Sequence, residues 1–152
     1  MSEQRHERPD RWRSTNPDLA LLVLRVVAGA VFFAHGFQKL FLFTVPGTTA
    51  AFTEMGVPLA GVVAPSLAIV ELVGGGLIVL GVLSRPVAAF LAVSMVGAAA
   101  FAHLGAGFWV DEGGFEYVAV LAAAAAAIAI AGPGRYGLSR VVLPERAAAI
   151  LG

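Results

Sequence analysis

The chain alternates long apolar runs with short polar ones. Polar residues dominate positions 1 to 18, after which the sequence is apolar from Leu19 to Phe43, Leu59 to Leu83, Val87 to Leu104 and Phe115 to Ala131. A helix needs ~20 residues to cross ~30 Å of hydrocarbon at 1.5 Å rise per residue, and the first two runs exceed that. The fourth run is short and close to poly-Ala, which is only weakly lipophilic, so it has to gain from close packing against its neighbours. Backbone polar groups in hydrocarbon must be satisfied internally, and the alternation of a barrel strand is absent, so all four runs read as helices. Gly132-Pro133-Gly134 stops the last one. Connections at 84–86 and 105–114 are short and force antiparallel neighbours. The pattern predicts an all-α polytopic membrane protein. Its membrane domain, 19–134, is an up-and-down bundle of four transmembrane helices (19–43, 59–83, 87–104, 115–131). A polar N-terminal tail (1–18) and a C-terminal tail (135–152) flank it. The loop before Leu59 predicts one interfacial turn, Thr49 to Met55, with Phe52 and Met55 on its apolar side and Gly56 as its stop.

The arginines give this bundle a direction. Arg5, Arg8, Arg11 and Arg13 precede the first span, Arg85 lies between the second and third, and Arg135, Arg140 and Arg146 follow the fourth, all on one side. The two loops on the other side carry Glu54, Asp111 and Glu112 and no Lys or Arg. By the positive-inside rule both termini are expected in the cytoplasm, with Trp12 at the inner interface and Phe108-Trp109 at the outer one. The basic tail before an apolar run also resembles a signal peptide, but the first run is too long for a 7–15-residue h-region.

Composition agrees with the pattern: 59% of residues are hydrophobic and 13% charged, against roughly 25% charged in a soluble domain. Ten basic and ten acidic residues cancel, and no basic stripe remains to neutralise phosphates, so nucleic acid is not an expected partner. The absence of cysteine excludes disulfides, thiolate catalysis, iron–sulfur clusters and Cys-ligated zinc. Redox chemistry would need a bound cofactor or another subunit.

Ionisable residues inside the spans carry the candidate chemistry, because each costs on the order of 2.5–3.5 kcal/mol there and tends to face a bundle interior or a wet cavity. In the first span Arg25, Ala28, Phe32, His35, Gly36 and Lys39 follow steps of three or four and share one face. The second span contributes Glu71, the third His103 and the fourth Glu116. From the span centres, Glu71 lies at the midplane, His35 ~6 Å and Lys39 ~12 Å outward, His103 and Glu116 ~11 Å outward, and Arg25 ~9 Å toward the cytoplasm. Helical side chains lean toward their own N-terminus, so His35 and Lys39 lean inward while Glu71 leans outward, and the three converge. Arg25 has two readings, snorkelling to inner headgroups or an ion pair with Glu71. Glu116 opens the fourth helix, where the macrodipole favours a carboxylate, and His103 can be a plain interfacial histidine. Gly29 and Gly36 flank the polar face, and Gly74, Gly75 and Gly76 begin a turn after Glu71. Successive glycines cost roughly 1 kcal/mol each in a helix, so a neighbouring helix or a ligand is expected against bare backbone there.

Four readings of this cluster stay open: a polar lock between helices, a metal site, a haem between two histidines, and a pocket for a small organic ligand such as a quinone. Depths spanning ~11 Å and the absence of an i,i+3 or i,i+4 His–Glu pair count against a metal. A ~5 Å difference in depth between His35 and His103 counts against haem. A ligand held by His, Glu and Lys among Phe32, Phe33 and Phe101, reached from the outer half, fits better.

The run L-R-V-V-A-G-A-V-F-F-A-H-G-F-Q-K-L at 24–40, M-G-V-P at 55–58, E-L-V-G-G-G-L-I-V-L-G at 71–81 and G-P-G-R-Y-G-L at 132–138 together resemble the DoxX family over about residues 19 to 140. The resemblance implies a four-helix, multi-pass protein of the bacterial plasma (inner) membrane. Relatives in that family include a subunit of a thiosulfate:quinone oxidoreductase and membrane partners of oxidative- and thiol-stress systems. Arg25, His35, Lys39, Glu71 and His103 correspond to its recurring polar residues and Glu116 to the acidic residue opening its last helix. One departure lies in the tail, where the family often has Ser-Leu-Asp and this chain has Gly137-Leu138-Ser139. The expectation is an accessory subunit of a redox-linked membrane complex, with quinone as a candidate cofactor and redox-complex subunits or further copies of the chain as partners. It is not expected to be catalytic as an isolated chain. The alternative is a structural anchor that docks soluble proteins.

Overall fold

The computed structural model describes residues 17–152. The expectations placed on the first sixteen residues, the basic tail and Trp12, lie outside the described residues. The seven α-helices described are α1 (Pro17–Phe37), α2 (Thr44–Glu54), α3 (Ala60–Leu80), α4 (Ser84–Ala98), α5 (Glu116–Ala131), α6 (Ser139–Val142) and α7 (Glu145–Leu151). α1, α3 and α4 with their continuations are long and apolar enough to cross a membrane, and α5 is a shorter apolar helix. Among the described residues there is no strand. The fold is an all-α polytopic membrane bundle.

α1 lies along α3 and α4 along α5, giving two tight hairpins that meet each other over smaller areas. The glycines explain the first hairpin. A Cβ on Gly36 would collide with the backbone of Leu72, and one on Gly75 with the backbone of Phe33, so α1 and α3 approach to main-chain contact. Bare glycine backbone here meets another helix. Between the hairpins the core is built from Phe32, Ile78, Leu91, Leu121, Ala125 and Ile128, all buried. Large apolar residues on the perimeter, such as Val62, Val93, Val120 and Ile130, stay exposed and face lipid.

Several boundaries differ from the apolar runs. α3 ends at Leu80, where Gly81 adopts φ 71°, and α4 begins at Ser84, because the loop between the spans is itself apolar and hides the break. α1 and α4 both run on into a π-helical turn, Gln38–Leu42 and Ala99–His103. The interfacial turn expected at 49–55 is an eleven-residue helix from Thr44 to Glu54. The C-terminal segment is folded rather than trailing: α6 and α7 lie across one end of the bundle, where Leu138 N donates to Leu80 O at 3.1 Å and Ser139 N to Gly81 O at 3.1 Å.

Candidate functional site

Opposite the Arg85 end, a cavity of about 640 Å³ lies between the two hairpins. α1 supplies Phe32 and His35 to its wall and the π-turn after it Lys39, α3 Val62, Ser66 and Glu71, α4 Phe90, Val93 and Ser94, and the start of α5 Tyr117. Phe52, Met55 and Val57 of α2 and its exit form a rim. The exposed wall residues Val62, Ser66, Phe90 and Val93 belong to α3 and α4, so the mouth opens sideways between those helices toward the membrane. The size and the mostly apolar lining with a few polar groups are those of a small-molecule site.

At its floor Lys39 Nζ donates to Glu71 Oε2 in an ion pair. Glu71 is 1% exposed and Lys39 20%, so the carboxylate is sealed while the ammonium borders the cavity. The π-turn starting at Gln38 contributes here: it adds a residue to the turn, closed by Phe43 N donating to Gln38 O at 2.9 Å, and the Thr48 hydroxyl holds Lys39 O at 2.7 Å. π-turns of this kind are frequent at functional sites. His35, one turn before Lys39, lines the same cavity and faces the Tyr117 ring at a centroid distance of 6.1 Å. His103 ends the second π-turn, and its Nδ1–H donates to Gly113 O at 2.7 Å. In the neutral ring that leaves the lone pair on Nε2.

His35, Lys39, Glu71 and His103 are thus brought around one cavity. Glu116 and Arg25 are not. Glu116 Oε1 accepts from Val110 N at 2.9 Å and closes the loop before α5, an end-of-helix role. Arg25 neither snorkels nor reaches Glu71. It is 2% exposed and donates to Val79 O at 3.0 Å and Tyr136 O at 2.5 Å. Its partners are carbonyls because α3 ends beside it, and a helix end leaves its last four carbonyls open. Those of α3 are all taken: Leu77 O by Val82 N, Ile78 O by Gly81 N, Val79 O by Arg25 and Leu80 O by Leu138 N. Ser139, standing where the family resemblance has Asp, donates its hydroxyl to Gly81 O at 2.9 Å. Ser66, Ser94 and Tyr117 are cavity residues that the spacing of charged positions passed over. The one sequence signal for Tyr117 is its position directly after Glu116.

A model of the DoxX family matches residues 20–104, more than half of the chain. The chain belongs to the DoxX family. The matched stretch holds His35, Lys39, Glu71 and His103. Among relatives, "Putative oxidoreductase CatD" of Bacillus subtilis (strain 168) is 33% identical over 104 residues, 68% of this chain and 74% of that protein. "Uncharacterized membrane protein Rv3486" of Mycobacterium tuberculosis (strain ATCC 25618 / H37Rv) is 34% identical over 96 residues, 63% of this chain and 56% of that protein. No solved structure matches the chain.

Proposed function

We propose that this DoxX protein is an accessory, redox-linked subunit of a bacterial inner-membrane complex, with both ends in the cytoplasm, that takes a small amphipathic molecule of quinone type from the lipid phase. The observation that carries this reading is the lateral cavity with the Lys39–Glu71 pair at its floor. An anchor that only docks soluble partners has no use for a cavity of about 640 Å³ lined by ionisable groups, whose presence in the bilayer costs stability. The residues fit a quinone. The ammonium of Lys39 can donate to a ring oxygen while Glu71 holds it in place, His35 and Tyr117 are groups able to give up or accept a proton beside it, and the phenylalanines flank an aromatic plane. A quinone bound there would supply two-electron chemistry, with the electrons coming from a partner subunit of the complex. The name of the Bacillus subtilis relative, which contains "oxidoreductase", supports a redox setting.

Mass spectrometry of lipids and quinones that co-purify with the protein in mild detergent tests this. The wild type should retain a small amphipathic molecule that Glu71→Gln and His35→Ala lose. Retention of nothing by the wild type, or of the same molecule by both variants, would favour the anchor.

A further inference from the structure

A second cavity, of about 460 Å³, lies at the opposite end of the bundle, beneath the folded C-terminal segment. Five charged residues line it: Asp18 at the start of α1, Arg85 at the start of α4, Arg135 and Arg140 of the C-terminal segment, and Glu145 of α7. Two of them are already committed. Arg85 donates from Nε to Gly152 O at 2.8 Å and from Nη1 to Ile130 O at 3.0 Å, closing the end of α5. Asp18 Oδ1 accepts from the Arg135 backbone N at 2.8 Å. The guanidinium groups of Arg135 and Arg140 and the single carboxylate of Glu145 have no hydrogen bond or ion pair among the described residues, although all three border the cavity, and the two cations outnumber the carboxylate.

The surroundings say what these two cations meet. α1 begins, α3 ends, α4 begins and α5 ends at this level, so the cavity sits where the hydrocarbon stops and the headgroups begin. Directly beside it α6 and α7 turn large apolar residues outward: Val141 is 82% exposed and Ile150 70%, with Val142 exposed as well. Such a face is at home in the headgroup–acyl boundary and not in water. Planar guanidinium donors next to an exposed apolar ledge, at headgroup depth, have the complementarity of a phosphodiester with its acyl chains alongside.

We propose that Arg135 and Arg140 seat the phosphate of an anionic glycerophospholipid from the adjoining leaflet, with its acyl chains lying along Val141 and Val142. This site is independent of the lateral cavity and of any redox role. The lipid would tie the C-terminal segment to the membrane at the same place where that segment caps α3.

Native mass spectrometry of the full chain in detergent, titrated with phosphatidylglycerol, tests the proposal. The wild type should hold phosphatidylglycerol in preference to phosphatidylcholine. The double variant Arg135→Gln/Arg140→Gln should lose about tenfold or more in retention, as expected for removing charge-assisted contacts. Arg146→Gln, in the same segment but outside the cavity, should retain the lipid as the wild type does. Both substituted side chains are exposed, so the double variant should keep the wild-type unfolding temperature in lipid-free detergent. Val142→Asp, which leaves the arginines and spoils the apolar ledge, should also weaken retention. Equal retention by the double variant and the wild type, equal binding of phosphatidylcholine, or an equal loss in Arg146→Gln would overturn the proposal. Displacement of the lipid by free glycerol phosphate at equal concentration would overturn the lipid as the occupant and assign the arginines to a soluble phosphate.

Discussion

At the scale of single residues, the bundle contains a buried cation and a half-buried one, stabilised in different ways. Lys39 has a carboxylate, and Arg25 has two carbonyls. Breaking a buried pair by deleting one member leaves the other uncompensated, at ~3–5 kcal/mol in dry surroundings. Because Lys39 keeps 20% exposure, Glu71→Ala should cost about 3 kcal/mol, the low end of that range, and Glu71→Gln less. The double variant Lys39→Met/Glu71→Gln should cost clearly less than the sum of its single changes when unfolding is followed in detergent. Additive costs would mean that the two charges are not coupled. Much of this was legible in the sequence: steps of three and four put His35 and Lys39 on one face, and opposite helix directions lean Glu71 toward them. Arg25 was not legible in the same way. Its partners are main-chain oxygens, one of them 111 residues away, and no spacing of side chains announces a carbonyl.

Elements bring out a different logic, in which glycine and π-turns set the distances between helices. Gly36 meets the backbone of α3 directly, with Ala68 O and Leu72 Cα each 2.7 Å from where its Cβ would stand. Backbone cannot rotate away as a side chain can, so Gly36→Ala must push α1 off α3 and should destabilise by about 1–3 kcal/mol, the usual cost of overpacking. Gly61, in the first turn of α3, has nothing within 4 Å of such a Cβ, and Gly61→Ala should be neutral or stabilise by up to ~1 kcal/mol. Thermal unfolding of both variants in one detergent checks the contrast, and equal effects would contradict the packing. The glycines were visible in the sequence as an excess that needed a reason, and the structure supplies the helix–helix one. The π-turns at Gln38–Leu42 and Ala99–His103 were not visible. Each lies inside an unbroken apolar run, where a shift from four- to five-residue hydrogen bonds leaves no mark on hydropathy. Both occur at the cavity end of their helices and carry Lys39 and His103.

For the whole molecule, the apolar runs were enough to read the class, since hydrocarbon thickness imposes a length that composition cannot disguise; three of the four runs form helices long enough to cross, and α5 is shorter. The division into two hairpins, and the cavity it opens, depends on which helix faces have small residues in contact, and sequence alone does not say which helix meets which. The direction across the membrane expected from charge can be measured directly, because a chain without cysteine accepts single probes. Glu112→Cys should react with an impermeant maleimide in intact cells, and Arg146→Cys only after the membrane is opened. The reverse pattern would invert the protein and turn the lateral cavity toward the cytoplasmic half. The capping of α3 has a further bearing on how the protein is made. The Leu80 carbonyl, the Gly81 carbonyl beyond it and the second amino group of Arg25 wait for Tyr136, Leu138 and Ser139, which leave the ribosome only after α1 to α5. Until then the first hairpin is a partly closed structure, with the Leu80 carbonyl and one Arg25 amino group still without these partners. A nascent chain cut short before residue 136 would stay in that state, so the step that completes the first hairpin is among the last of synthesis.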